Sequence, residues 1–366
     1  MRKVADIIKI VQDLAPEANA ENFDNVGLLV GELEANVTGI LVTLDCLEKV
    51  VDEAIQKNCT MIVTFHPILF SGIKSVTGKN YVERTVIKAI KNTISIYAIH
   101  TNLDVAKEGV NYEICNRLGI KNTRPLLPKT RCIKKLQTYI PAADFHEVQQ
   151  ALFKAGAGEI GNYKNCSFRV RGKGTFMPTE GSHPFIGETN KLEEAEEIML
   201  SVIFEDFKQT EILKALRESH PYEEIAYEIY TLDNENQDLG MGRVGELDNE
   251  ISEEEFLKRL KESLPTNCIR HTALRHKPVK KVAVLGGSGS FAIKNAVSAR
   301  ADVFVTADVK YHEFFQAEGK MILADIGHYE SEQFTKDLLY NYLKNNLEDL
   351  PIHISEINTN PVHYYY

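Results

Sequence analysis

The chain has 366 residues, with 52 acidic side chains against 42 basic ones and a formal charge of −10. That length supplies two or three domains with proper cores, and the acid excess argues against a nucleic-acid groove. No run approaches a membrane span, charge interrupts Met1-Arg2-Lys3-Val4-Ala5-Asp6-Ile7 where a signal peptide would be apolar, and six cysteines without a C-x-x-C pair point to reduced thiols in a cytoplasmic protein.

Apolar spacing at Val4, Ile7, Ile8, Val11 and Leu14 predicts a first helix, closed by Pro16. Asp24-Asn25 then opens a short strand. Such a pair is more often a turn initiator than part of a site. Residues 39–45 read as a strand and 47–57 as a helix. Asp45, at the strand end, is more commonly a helix cap than an outer-shell group. Next comes the stretch around which the chain is organised, Met61-Ile62-Val63-Thr64-Phe65-His66-Pro67. An apolar run predicts a buried strand, and Pro67, lacking an N–H, stops the ladder and exposes His66 at its carboxyl edge. In open parallel sheets that edge is where ligands bind. A helix over 81–91, a strand delivering His100 and Asp104, and a helix over 109–118 complete a β-α-β-α-β rhythm. It predicts a parallel sheet with right-handed crossovers.

Residues 121–129 form a Pro- and Lys-bearing connector to a different module. Strands over 134–140, 197–205 and 225–232 and helices over 144–155 and 209–219 are predicted, with short antiparallel strands at 165–170 and 174–176 joined by a Gly-rich turn. This order matches a split β-α-β, ferredoxin-like unit. His183 and His220, each before a proline, read as turn punctuation. A polar connector over 233–238 leads back to strands at 281–285, 302–306 and 321–326, helices at 291–299 and 309–318, and a long helix over 328–346. The predicted organisation is a first α/β half (1–129), an inserted domain (130–233) and a second α/β half (234–366).

Three strands therefore hand over histidine or carboxylate at their ends. His328 and Glu332, four residues apart on one helix face, are a reasonable half of a metal site. Alone, the pair is explained as well by a carboxylate favouring the helix dipole. His100 with Asp104, and His66 at a third strand end, make coincidence less convincing. Imidazole with carboxylate suits zinc, iron, manganese or cobalt, and a carboxylate can bridge two ions. Gly286-Gly287-Ser288-Gly289-Ser290 lacks the ending of a P-loop; a tight turn is its commoner role, a rest for an anionic group the alternative. His312 is a candidate proton carrier, with a surface-helix histidine about as good an explanation.

The stretches Asp24-Asn25-Val26-Gly27-Leu28, Thr64-Phe65-His66-Pro67, His100-Thr101-Asn102-Leu103-Asp104 with Gly109-Val110-Asn111, and Gly327-His328-Tyr329-Glu330-Ser331-Glu332 resemble the Nif-three-like family. Its members are known as GTP cyclohydrolase I type 2 homologues or dinuclear metal-centre hexameric proteins. The central stretch, with Gly174-Thr175-Phe176-Met177-Pro178 and His220-Pro221-Tyr222-Glu223-Glu224, resembles the PII-like insertion of longer members. The resemblance implies two similar α/β halves in a toroidal homohexamer, with the insertion capping the ring. It also implies that His66, Asp104, His328 and Glu332 are metal ligands, with His100 a supporting residue or further ligand, for one or two divalent ions per chain, zinc, iron or manganese. One departure stands out: the family pattern has two adjacent histidines before the proline, and the first is here Phe65, which has no lone pair to give. The implied activity is metal-dependent hydrolysis of a small, nucleotide-type substrate through metal-activated water. The alternative is a non-enzymatic metal-binding ring, a scaffold or sensor whose PII-like domain binds an effector or partner.

Overall fold

The computed structural model describes residues 2–365. The chain builds a first compact unit up to Pro128, leaves it for a second unit over Lys129–Gln237, and re-enters the first at Asp238.

The first unit opens with α1 (Val4–Leu14), whose buried face is Val4, Ile7, Ile8 and Val11. It then runs through β1 (Gly27–Val30), β2 (Ile40–Thr43), α2 (Glu48–Gln56), β3 (Met61–Thr64), α3 (Tyr81–Lys91), β4 (Ser95–Ala98), α4 (Thr101–Asp104) and α5 (Val110–Leu118). β2, β3 and β4 lie side by side and parallel, and β1 pairs antiparallel with β4 at the edge. Every residue of β2, β3 and β4 is buried, which is why these strands read as unbroken apolar runs rather than alternating ones.

β5 (Ile120–Thr130) leads to the second unit, made of β6 (Ile133–Pro141), α6 (Phe145–Lys154), β7 (Phe168–Phe176), β8 (Glu193–Glu205), α7 (Gln209–Ser219) and β9 (Tyr227–Leu232). Its sheet has the order β7-β8-β6-β9 and is antiparallel throughout. This is the split β-α-β, ferredoxin-like arrangement. Leu136, Ile140, Ile198, Leu200 and Val202 pack with Val148, Leu152, Ile212 and Leu216 of the two helices, so the opposite sheet face is left open. His220 is a staple between β6 and the turn after α7. Its Nε2 lies 2.9 Å from the Tyr139 carbonyl and its Nδ1 accepts from the Tyr222 amide at 3.2 Å.

The return path is β10 (Glu235–Ile251), α8 (Glu253–Ser263), β11 (Arg270–His271), β12 (Val279–Ser288), α9 (Ile293–Ser298), β13 (Val303–Ala307), β14 (Ile322–Asp325), α10 (His328–Glu332), α11 (Thr335–Asn346) and β15 (Ile352–Ile354). β12, β13 and β14 form a second parallel centre in the sheet β11-β14-β13-β12-β10-β5. β15 crosses back to pair with β2 and complete the first sheet. Residues of α1, β2, β3, α5, α8, β12, β13, β14 and α11 share one apolar cluster. The two α/β halves are therefore layers around a common core.

Several local expectations are corrected. Phe168–Phe176 is one strand, in continuous register with β8 from Phe168↔Ser201 to Phe176↔Glu193. Gly172 and Gly174 lie within this ladder, where pairing to the long β8 overrides their turn preference. The presumed connector over 121–129 belongs to β5. That strand closes one end of its sheet, so Pro125 and Pro128 are tolerated. Its neighbour β10 likewise absorbs most of the polar stretch after Asp233. Residues 311–317 form a 3-10 helix, and the long helix over 328–346 is interrupted between Glu332 and Thr335. Among the described residues, no helix is long and apolar enough to cross a membrane.

Candidate metal centre

Neighbouring strands of the first unit deliver their side chains in matched pairs. Asp45 lies just beyond the end of β2 and His66 just beyond the adjacent β3, with His66 Nδ1 2.8 Å from Asp45 Oδ1. Asp308 directly follows β13, and the adjacent β14 leads through Gly327 to His328, whose Nδ1 is 2.6 Å from Asp308 Oδ2. Asp24 precedes β1 and His100 follows its partner β4; Nδ1 of His100 is 2.9 Å from Asp24 Oδ1. Each imidazole is thus gripped through Nδ1 by a carboxylate one strand away. Held in this way, a histidine presents Nε2 outward as a ligand.

The Nε2 atoms of His66 and His328 converge on one buried oxygen. Both lie 3.1 Å from Glu332 Oε2, and the three side chains offer ligand atoms within 4.8 Å of one another. Glu332 is carried by α10 one turn after His328 and is only 3% exposed. Space for it comes from β12. Gly287 has φ +66°, and a Cβ there would collide with the Glu332 carboxylate. The glycine-rich stretch therefore admits a carboxylate. Its first two amides are engaged, Gly286 N–H by Asn111 Oδ1 and Gly287 N–H by Ser331 Oγ, each at 2.9 Å, so they are closed to a phosphate.

The donor set fits a cation. His66 Nε2, Glu332 Oε2 and Asp104 Oδ1 are buried without hydrogen-bond partners, a costly condition unless a positive charge completes them. The contact between His66 Nε2 and Glu332 Oε2 is short but lacks hydrogen-bond alignment. Protonation reports the same demand. Burial would depress His66, yet Asp45 and Glu332 outweigh it and raise its pKa to about 9. His328, likewise opposed by burial, is raised to about 11 by Asp308 and Glu332. Glu332 is lowered despite its burial, by His328 and His66. Asp104 is raised well above the ordinary carboxylate range by burial and by the Glu332 charge. Imidazole and carboxylate in this ratio suit a borderline divalent ion. His66, His328 and Glu332 therefore form a group able to hold a metal.

Of the remaining predicted residues, His100 and Asp104 lie beside this group, whereas His312 is not among the residues that line the cleft. His100 stands with its ring 5.3 Å from that of His66. Asp104 is buried close enough to Glu332, His66 and His328 to feel their charges. Phe65 is fully buried, its ring 4.9 Å from His66 and 5.3 Å from His100, so it packs an apolar ring against both imidazoles, which also meet each other edge to face. His312 is exposed and packs on Tyr311 and Phe315. The outer carboxylates were the least legible part. Asp24 is a turn residue, accepting from the Asn25 amide at 2.8 Å, but it also holds His100. Although burial opposes it, contacts with His100 and Thr101 bring its pKa down to about 2. Asp45 caps no helix, since α2 starts after Leu47. Asp308 carried no periodic signal; only its place at a strand end could have marked it.

A cleft of about 490 Å³ opens beside His66 and His328, with Asp308, Arg270 and Tyr364 on its walls. The C-terminal tail is tied to the centre, as Thr359 donates to Asp45 and Asn360 Nδ2 donates to Glu330 Oε1 at 3.1 Å.

The profile of the family described as Duf34/NIF3 (NGG1p interacting factor 3) matches residues 2–361. A Bacillus subtilis protein named GTP cyclohydrolase 1 type 2 homolog is 39% identical over 364 residues, 97% of this chain and 96% of its own. A Staphylococcus epidermidis protein of the same name is 34% identical over 366 residues, 99% of this chain and 100% of its own. The crystal structure of a Bacillus cereus protein related to NIF3 superposes with a TM-score of 0.86 at 36% identity, covering 100% of this chain and 99% of that one.

Proposed function

Since the chain belongs to the Duf34/NIF3 family, we propose that it is a metal-dependent hydrolase of a small substrate, of the class for which its relatives are named, GTP cyclohydrolase 1 type 2 homologs. The observation that carries this reading is that ligand atoms of His66, His328 and Glu332 meet within 4.8 Å, with His66 Nε2 and Glu332 Oε2 buried and unpartnered. His66, His328 and Glu332 would hold a divalent ion, with Asp104 and His100 beside them. Asp45, Asp308 and Asp24 keep the three imidazoles in the ligand tautomer. A divalent ion bound there supplies the Lewis acidity that hydrolysis at neutral pH requires. The cleft is within the ordinary size range for small-molecule sites. Arg270 on its wall suits a substrate with an anionic group such as a nucleotide phosphate, although Arg270 also pairs with Asp325.

Phe65 bears on nuclearity. One ion is served by two imidazoles and a carboxylate. A second, on the His100 and Asp104 side, would face an aromatic ring where the family pattern supplies a histidine. The site is therefore proposed to bind one ion firmly and a second weakly. The family resemblance further implies a homohexameric ring with the second unit as a PII-like insertion.

The test combines elemental analysis of purified protein with a nucleotide substrate panel. The expected result is at least one divalent ion per chain, lost in Glu332→Gln and His66→Ala, with turnover lost alongside it. Metal uptake without turnover of any substrate, unaffected by His66→Ala, would leave the second reading: a metal-binding ring acting as scaffold or sensor. Phe65 is the observation that favours that alternative, because it weakens the site of the partner ion of a two-metal mechanism.

A further inference from the structure

A cavity of about 660 Å³ is lined by residues of the second unit alone. Its floor is the open face of the antiparallel sheet. Along β8, Ile198 and Leu200 point to the helices, so Glu197 and Met199 alternate to the other face, beside Tyr139 of β6 and Val170 of β7. Aromatic rings wall it: Phe176 and Phe185 stand 5.9 and 6.2 Å from Tyr222. Val170, Met177 and Phe185 remain substantially exposed. Clustered apolar surface of this kind is the usual mark of a binding site.

Glu197 faces this aromatic space from the floor, and Glu223 and Glu224 also line it. Tyr222 O–H donates to Glu197 Oε1 at 2.9 Å, which fixes the carboxylate and leaves Oε2 for another donor. The strand above it is bare. Gly172 is the residue in register with Glu197, and a Cβ there would meet nothing within 4 Å. A Cβ at Gly174 would collide with Glu197 itself. Two cationic residues, Arg171 and Lys173, belong to the strand that lines the cavity. Arg171 and Lys173 alternate to the other side of β7, where Lys173 pairs with Glu194 and Glu196. The result is a fixed carboxylate at the base of an aromatic chamber.

We propose that this chamber binds a planar organic cation, an amidinium or aryl-ammonium type of ligand. Its flat body lies against Tyr222, Phe176 and Phe185, and its N–H groups donate to Glu197 Oε2. Aromatic faces attract cations, and a charge-assisted hydrogen bond to the carboxylate adds direction. The ligand class follows from the charges that line the cavity: Glu197, Glu223 and Glu224 are acidic, whereas the side chains of Arg171 and Lys173 alternate to the opposite sheet face.

The experiment titrates the full-length protein with benzamidine, benzamide and benzoate by isothermal calorimetry, matched in shape and differing in charge. Benzamidine is expected to bind, benzamide about tenfold more weakly, and benzoate not measurably. Glu197→Gln keeps the side chain's shape and should weaken benzamidine about tenfold while leaving benzamide unchanged. Gly172→Leu, which adds a side chain into open space, should abolish both without lowering the Tm. Benzoate binding as tightly as benzamidine would overturn the proposal. So would an unaffected Glu197→Gln, unaltered binding in Gly172→Leu, or no probe binding at millimolar concentration; the last would mean that the chamber is closed by protein instead.

Discussion

At the residue scale, the centre is defined by what grips the histidines. His328 takes its orientation from Asp308, which is held below the ordinary aspartate range chiefly by that hydrogen bond. Replacing the carboxylate by an amide keeps the shape and removes the charge. Asp308→Asn and Asp45→Asn should each lower divalent-ion affinity about 10- to 100-fold, measured by competition with a chromophoric chelator, with the far-UV spectrum unchanged. Phe65→His tests the other side of the site. If the buried phenyl ring is what limits occupancy, this variant should move the stoichiometry from about one ion per chain towards two. An unchanged ratio would mean that Phe65 does not set the nuclearity.

At the element scale, parallel pairing does the assembly. Because β2 and β3 are adjacent and in register, as are β13 and β14, residues just beyond their ends meet without any loop having to reach. The close approach of β12 to α10 is equally specific. Gly287→Ala imposes a side chain on a left-handed backbone position and pushes against Glu332. It should cost about 1–3 kcal/mol in stability and lose metal binding as well. Chemical denaturation and metal analysis read the two effects separately. Glycines that resemble a phosphate loop in sequence are, in the fold, the clearance for a ligand.

At the scale of the whole molecule, metal and protons compete for the same atoms. In chelated protein, His66 and His328 have pKa values raised from 6.5 to about 9 and about 11. The stability they contribute is fully present below the unfolded value and is lost as pH rises through the folded ones. Glu332 is depressed and acts oppositely: its contribution is present above its unfolded value of 4.5 and is lost as pH falls through the folded one. The Tm of chelated protein should therefore fall as pH rises from about 6.5 to about 11. Loading with a divalent ion should suppress that fall, because the ion replaces the protons. Parallel thermal scans check this, and equal falls in both forms would contradict it. Light scattering tests the proposed ring, with six chains per particle as the expected mass.

Much of this was legible in the sequence because it rests on local chemistry. Fully buried parallel strands appear as apolar runs, and a proline after His66 marks where one stops. Four-residue spacing puts His328 and Glu332 on one helix face whatever surrounds them. What tertiary structure alone decided depends on contacts between distant segments. These are the return of β15 to the first sheet, the capture of β7 by β8 through two glycines, and the pairing of Asp24, Asp45 and Asp308 with their histidines. An aspartate after a strand looks the same in sequence whether it caps a helix or holds an imidazole. Only the neighbouring strand, brought alongside by the sheet, determines which of the two it does.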